Sequence, residues 1–347
     1  VLAIVIGLAL VFAGPAIYGH FLAQRFAEYI IFGIGALAVG LIAGHARLLN
    51  IGVGANFGVA AYSVAILTNH GVLNPFWLMV GALVVSVVVS GLFAVYAVVA
   101  TGLEYLLLTL LTTVAFFGLP LLFSGPTGGE NGLGAQGAVT ISFGWDPLVG
   151  NTFYWLVAGV ASFWVALSWY LLAARAGRVM TAIGRNPIRA AAMGYSVHSY
   201  RVAITLYSGL MAGSAGWLYA LDHAFVFPDL MGLANSLNFV IYSLIGGVEA
   251  ILGPLLGAAG LRYLNEYTGQ QSTQSQLYIA AAILIVVYLM PNGVLGSWRR
   301  LVAMRSGLRQ VLSQGGGASQ RLRAAVQMAR GQEPSLEGLD TALEDQP

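Results

Sequence analysis

The side chains best suited to chemistry are few and scattered. Five histidines, His20, His45, His70, His198 and His223, fall singly near the ends of apolar runs, with no metal-ligand spacing and no acid at helical distance. They nominate no metal site and no catalytic residue. Cysteine and lysine are both absent. That excludes thiol nucleophiles, disulfides, cysteine-ligated zinc, Schiff-base chemistry and the lysine of an ordinary phosphate-binding loop. No cofactor is expected on this chain, and no ATPase site of its own.

A second group is polar rather than reactive. Asn56, Tyr62, Thr112, Thr113, Asn235 and Asn238 interrupt otherwise apolar runs. In lipid such groups face a bundle interior or a wet path. Each therefore has two readings, an interhelical hydrogen bond or a weak contact for a passing polar solute. A third group lies between residues 175 and 199, where Arg178, Thr181, Ala182, Ile183, Gly184, Arg185, Asn186, Ile188, Ala190, Ala191, Met193 and Gly194 form two short helical turns separated by Gly184–Pro187. Small residues let a helix seat closely in a groove, and Ile188 and Met193 supply adaptable contact surface. The loop either docks another protein or packs beneath its own bundle.

The elements that carry these residues are set by hydropathy. Of 347 residues, 58% are apolar and only 8% charged, against about 25% charged in a soluble chain. Such a chain cannot cover a water-facing surface. The apolar runs predict an all-α, polytopic membrane helix bundle of about ten spans, because lipid obliges each crossing segment to satisfy its own backbone. The spans fall near 1–19, 28–44, 53–70, 76–100, 104–124, 152–174, 200–221, 235–248, 249–267 and 276–291. The eighth and ninth meet at Gly246-Gly247 and read either as two short helices or as one broken element. Residues 1–298 form the membrane domain and 299–347 a tail.

Arginine placement orients the bundle. Arg175, Arg178, Arg185 and Arg189 lie in the 175–199 loop, and Arg299, Arg300, Arg305 and Arg309 follow the last span, which places both regions and both termini in the cytoplasm. Arg47 falls on the same side, and the arginine-free 125–151 loop on the other. Residues 298–312 have the composition of a basic helix that meets anionic membrane lipid, although the tail as a whole reads as solvated. Within the spans, Arg262 and Glu266 stand four apart and are expected to neutralise each other. Asp222, His223 and Asp229 are expected in an outer loop. Gly253 with Gly257, and Gly209, Gly213 and Gly216, mark close helix crossings, within the bundle or between subunits.

Several segments, in order, resemble the membrane subunits of branched-chain amino acid ABC importers. They are Leu48-Leu49-Asn50-Ile51-Gly52 with Gly58 and Ala61-Tyr62, then Thr127-Gly128-Gly129-Glu130-Asn131-Gly132-Leu133. Gly177 through Tyr219 follows, then Gly246-Gly247-Val248-Glu249 onward to Gly257-Ala258, and finally Pro291-Asn292-Gly293. The resemblance implies that the 178–194 loop is the coupling element, with Arg178, Ala182, Ile183, Asn186, Ala190, Ala191 and Gly194 seated on a cytoplasmic ATPase subunit. It also implies two such ATPase subunits that bind the ATP, a second permease subunit and an extracytoplasmic substrate-binding protein, all at a bacterial-type cytoplasmic (inner) membrane. Nucleic acid is not a partner. Pro187 and Ala191 stand where that family commonly has carboxylates, while Val53 and Asn56 replace a frequent polar and aromatic pair. The solute is therefore a branched-chain amino acid or a related small polar molecule. A secondary transporter or channel, and a sugar-type permease of the same superfamily, are the competing readings.

Overall fold

The structure, a computed structural model, describes residues 24–134, 152–223 and 225–269, together with the isolated positions Leu284, Gly293 and Gly296. The expected first span, nearly all of the last, and the tail lie outside the described residues. Those described form a helix bundle. Helix α1 runs Gln24–Ala46 and its final turn, Ile42–Ala46, is π-helical. Then come α2 (Val53–Asn69), α3 (Pro75–Val99), α4 (Leu103–Leu122), a single turn α5 (Ser124–Thr127), α6 (Thr152–Ala173), α7 (Arg175–Arg185), α8 (Pro187–Ala192), α9 (Val197–His223), α10 (Leu233–Gly246) and α11 (Gly253–Gly269). Helices α1, α3, α4 and α6 are each long and apolar enough to cross a bilayer.

Punctuation explains the boundaries. Asn74 caps α3 by accepting from the Phe76 N–H at 2.9 Å, with Pro75 in the first helical position. Between α1 and α2, the Asn50 side chain accepts from the Gly52 N–H at 2.8 Å, and Arg47 takes a left-handed conformation to end α1. Helices α10 and α11 have 14 and 17 residues, about 21 and 25 Å at about 1.5 Å per residue. They are two separate helices joined by a turn, each shorter than the roughly 30 Å hydrocarbon thickness.

Helix α9 is the axis, and small residues allow it to be. A methyl group at Gly216 would strike the Phe57 carbonyl of α2, and at Gly213 or Gly209 it would strike Ser86 or Ser90 of α3. Polar side chains tie further neighbours to it: Ser208 donates to the Ala38 carbonyl of α1 at 2.9 Å, and Trp164 of α6 donates to Ser214 at 2.7 Å. Likewise Gly257 of α11 lies against the Tyr242 carbonyl of α10. All of these glycine faces serve the internal bundle. On the outside, α3 and α4 present Val84, Val88, Val95, Leu107 and Leu111, an apolar surface suited to lipid or to another subunit.

The loop after α4 departs from the all-helical plan. Gly128, Gly129 and Gly132 have φ of 74°, 61° and 75°, so Thr127–Gly132 can fold back tightly. The turn delivers Leu133–Gly134 as strand β1 to pair antiparallel with β2 (Phe225–Val226), Leu133 opposite Val226. The family-like glycine motif thus ties the loop after α4 to the end of α9. Gly216→Ala is expected to lower the stability of the purified protein by about 1–3 kcal/mol, read as thermal midpoint, because helix backbones must separate. Gly118→Ala, where a methyl meets open space, should leave the midpoint unchanged or slightly raised.

Candidate functional site

The chain order of α9 and α1 defines two ends of the bundle, and each holds a candidate site. The first is built by α7 and α8. Helix α7 packs against the final turn of α1, with Gly184 directly over the His45 carbonyl, where a methyl would clash. Gly177 similarly fits the Leu171–Leu172 backbone at the end of α6. Asn186 ends α7 and caps α8 by accepting from the Arg189 N–H at 2.9 Å, while Pro187 occupies the first position of α8. The pair is therefore a rigid elbow: α7 is seated on the chain's own helices and α8 stands beyond it.

The seven residues singled out in this loop divide accordingly. Ile183 and Ala190 are 3% and 1% exposed, and both face their own chain. The close packing of Ala190 is thus within its own chain. Arg178, Ala182, Asn186, Ala191 and Gly194 are exposed. The largest apolar contact area on the elbow belongs to Ile188, 82% exposed, with Met193 and Tyr195 beside it. Exposed apolar side chains on a turn flanked by exposed Arg185 and Arg189 suit a protein partner better than solvent.

The second site lies at the opposite end. A cavity of about 730 Å³ opens between α1, α4, α9, the turn Pro228–Met231, α10 and α11. Its apolar wall includes Phe32, Val114 and Phe117. Its polar wall comprises Asp229, Asn235, Asn238 and the Arg262 head, with Tyr219 alongside. Asn235 is partly committed, donating to the Leu230 carbonyl at 2.9 Å; Asn238 is exposed. Asp229 makes no ion pair among the described residues. It is exposed, on the Pro228–Met231 turn within the connection between α9 and α10.

The other polar candidates sit elsewhere. Asn56 is buried and accepts from Ser90 at 3.2 Å, joining α2 to α3. Thr113 donates to its own helix at Thr109 and toward the Ile51 carbonyl at 3.4 Å, while Thr109 accepts from the Ile51 N–H at 3.3 Å. These threonines hold the segment between α1 and α2. Thr112 donates to the Tyr96 hydroxyl at 3.2 Å. Tyr62 is buried, its hydroxyl has no partner among the described residues, and Asp229 is near enough to act on it electrostatically. Of the six, only Asn235 and Asn238 line the cavity.

Charges around that cavity correct one expectation. Arg262 and Glu266 do not neutralise each other. Arg262 pairs with Glu28 and lies 3.7 Å over the Phe32 ring, while Glu266 pairs with Arg25 and accepts from the Tyr29 hydroxyl. The four-residue spacing puts both charges on one face of α11, but α1 runs alongside and offers a complementary pair. Sequence spacing could not reveal it, because the partners are more than 200 positions away. His223 stacks on Tyr219 at 4.1 Å and approaches Asp222 at 3.4 Å and Glu28 at 3.8 Å. Both Asp222 and His223 belong to the end of α9 rather than to a loop.

If the α1–α11 pairing is a real coupling, Glu28→Gln and Arg262→Gln should each lower the thermal midpoint. The double variant should lose less than their sum, with a coupling of about 0.5–3 kcal/mol in a double-mutant cycle. Additive losses would mean that the contact contributes no coupling.

Residues 21–303 match the family described as branched-chain amino acid transport system / permease component. The high-affinity branched-chain amino acid transport system permease protein LivM of Escherichia coli is 25% identical over 305 residues, covering 80% of this chain and 70% of the relative. The autoinducer 2 import system permease protein LsrC of Enterobacter sp. is 26% identical, covering 68% of this chain and 67% of the relative. The ribose import permease protein RbsC of Haemophilus influenzae is 25% identical, covering 77% and 82%. No solved structure matches the chain. With a polytopic helix bundle and a match over most of its length, the chain belongs to the family of permease components of branched-chain amino acid transport systems, as an ABC-type membrane transport subunit.

Proposed function

We propose that this chain is one permease subunit of an importer for a branched-chain amino acid or a closely related zwitterion. It pairs with a second permease subunit, is driven by two cytoplasmic ATPase subunits that bind the ATP, and receives its solute from an extracytoplasmic binding protein. The membrane is the cytoplasmic (inner) membrane of a bacterial-type cell, and both termini face the cytoplasm, the side on which the arginine-rich 175–199 loop belongs.

The single observation that carries this reading is the elbow. Helix α8 presents Ile188 and Met193 to the outside while α7 is fixed to the ends of α1 and α6. A partner that grips α8 therefore pulls on helices that line the transport bundle. Ile188, Met193 and the exposed Arg178, Ala182, Asn186, Ala191 and Gly194 form the gripped surface, with Ile183 and Ala190 setting its angle.

Amino acid rather than sugar cargo is supported by the cavity. An Asp229 carboxylate without an ion pair among the described residues, two amides and apolar walls offer an ammonium group and a branched side chain brief, complementary contacts. Weak contacts suit passage, since tight retention would slow release. Buried Asn56 and Thr113 and half-buried Thr112 serve as ties between neighbouring segments.

ATP-driven uptake of leucine by the reconstituted complex, competed with isoleucine, valine, ribose and autoinducer 2, tests the whole reading. Valine and isoleucine are expected to compete and ribose is not. Uptake by this chain alone under an ion gradient would overturn it in favour of a secondary transporter. Ile188→Asp is expected to cut uptake at least roughly tenfold, about 1.4 kcal/mol of lost docking, with an unchanged thermal midpoint. Asp229→Asn should reduce leucine uptake about threefold to tenfold and leave ATPase assembly intact.

A further inference from the structure

A groove of about 260 Å³ runs along the outside of the bundle between α3 and α9, near the α7–α8 end. Its walls are Val95, Val98 and Val99 of α3 with Val202 and Leu206 of α9, and Gly91 lies at its far end. No polar side chain lines it. A methyl built on Gly91 would meet nothing within 4 Å, so the missing side chain leaves the groove open at that point. From Gly91 to Val99 the helix rises about 12 Å at about 1.5 Å per residue. One leaflet of hydrocarbon, half of about 30 Å, is about 15 Å deep. The groove is therefore close to the length that an acyl chain occupies in its own leaflet.

Arg201 does not line the groove but precedes Val202 of its wall and reaches the α3 segment that forms its other side. One terminal nitrogen of its guanidinium donates to the Ala97 carbonyl of α3 at 3.3 Å. The Nε is buried without an acceptor, and no carboxylate lies within 4 Å of the guanidinium among the described residues. The same end of the bundle carries the exposed Arg47, Arg175, Arg178, Arg185 and Arg189, set against the exposed acids Glu104 and Glu249. The charge there is strongly positive. An uncompensated cation next to an apolar channel of one leaflet's depth complements an amphiphile with an anionic head.

We propose that the α3–α9 groove binds an anionic phospholipid of the leaflet on the α7–α8 side. One acyl chain lies along Gly91–Val99, and the phosphate rests on the Arg201 guanidinium. The lipid then bridges the α3 end and the start of α9, the helix that follows the elbow directly. The site requires membrane embedding only and is independent of the cargo.

Native mass spectrometry of the purified chain, with added phosphatidylglycerol or phosphatidylcholine of identical acyl chains, tests this site. The wild type should retain one phosphatidylglycerol at concentrations about fivefold lower than phosphatidylcholine. Arg201→Gln should abolish that preference while still admitting either lipid. Gly91→Leu keeps the arginine but fills the channel, so it should lose the bound lipid of both types. Equal retention of the two lipids by the wild type, or wild-type retention by Gly91→Leu, overturns the proposal. A cross-link from Val95→Cys, introduced into this cysteine-free chain, to a second copy or another permease subunit in native membranes would also overturn it.

Discussion

The close approach of α9 to α2 and α3 is the constraint on which the rest of the molecule depends. In a bilayer the surrounding lipid is as apolar as the helices, so burial alone does not drive them together. Contact at backbone distance does, and it needs Gly209, Gly213 and Gly216 facing Ser90, Ser86 and the Phe57 carbonyl. Once α9 is seated, Ser208 fixes α1 and Trp164 with Tyr207 fixes α6 through Ser214 and Ser168. Each bond is worth little alone, but together they place four neighbours around one axis. That axis begins just after the elbow and ends beside the cavity, which gives the two sites a common rigid member.

The elbow depends on a similar economy. Gly184 allows α7 to lie directly on the His45 carbonyl at the π-helical end of α1. The short α8 is then held by its Asn186 cap and by buried Ala190. What remains outward is Ile188 and Met193, flanked by the exposed Arg185 and Arg189. At the opposite end, crossed ion pairs between α1 and α11 set the border of the cavity, and the glycine turn at 128–132 brings β1 to β2 near the exit of α9.

Much of this was legible in the sequence because lipid makes helix formation nearly compulsory. Within the described residues, the helices α1–α4, α6 and α9–α11 fall within about four residues of the apolar runs, and Gly246-Gly247 does mark a break between two short helices. Local signals also succeeded where chemistry is local, as with Asn186-Pro187 separating α7 from α8. Side-chain partners were less legible. Arg262 and Glu266 suggested a local pair because spacing along one helix is visible and the proximity of Glu28 and Arg25 is not. Asn56 and Thr113 read in sequence as path or, somewhat better, as interhelical glue, and Ser90 and Ile51 beside them bear out the second reading. The cavity itself, and Asp229 within it, arise from six elements meeting and have no linear signature. Ile183 and Ala190 looked like contact residues because small and apolar types suit both an interface and a core.

The central claim is mechanical: force from ATPase subunits enters through the outward face of α8. The absence of native cysteine permits a direct measurement. With Ile188→Cys as the only thiol, sealed vesicles of known orientation are exposed to a membrane-impermeant maleimide with and without assembled ATPase subunits. The account predicts labelling only from the cytoplasmic side, and strong protection when the ATPase is bound. Labelling from the outer side, or equal labelling in the presence and absence of the ATPase, would contradict it.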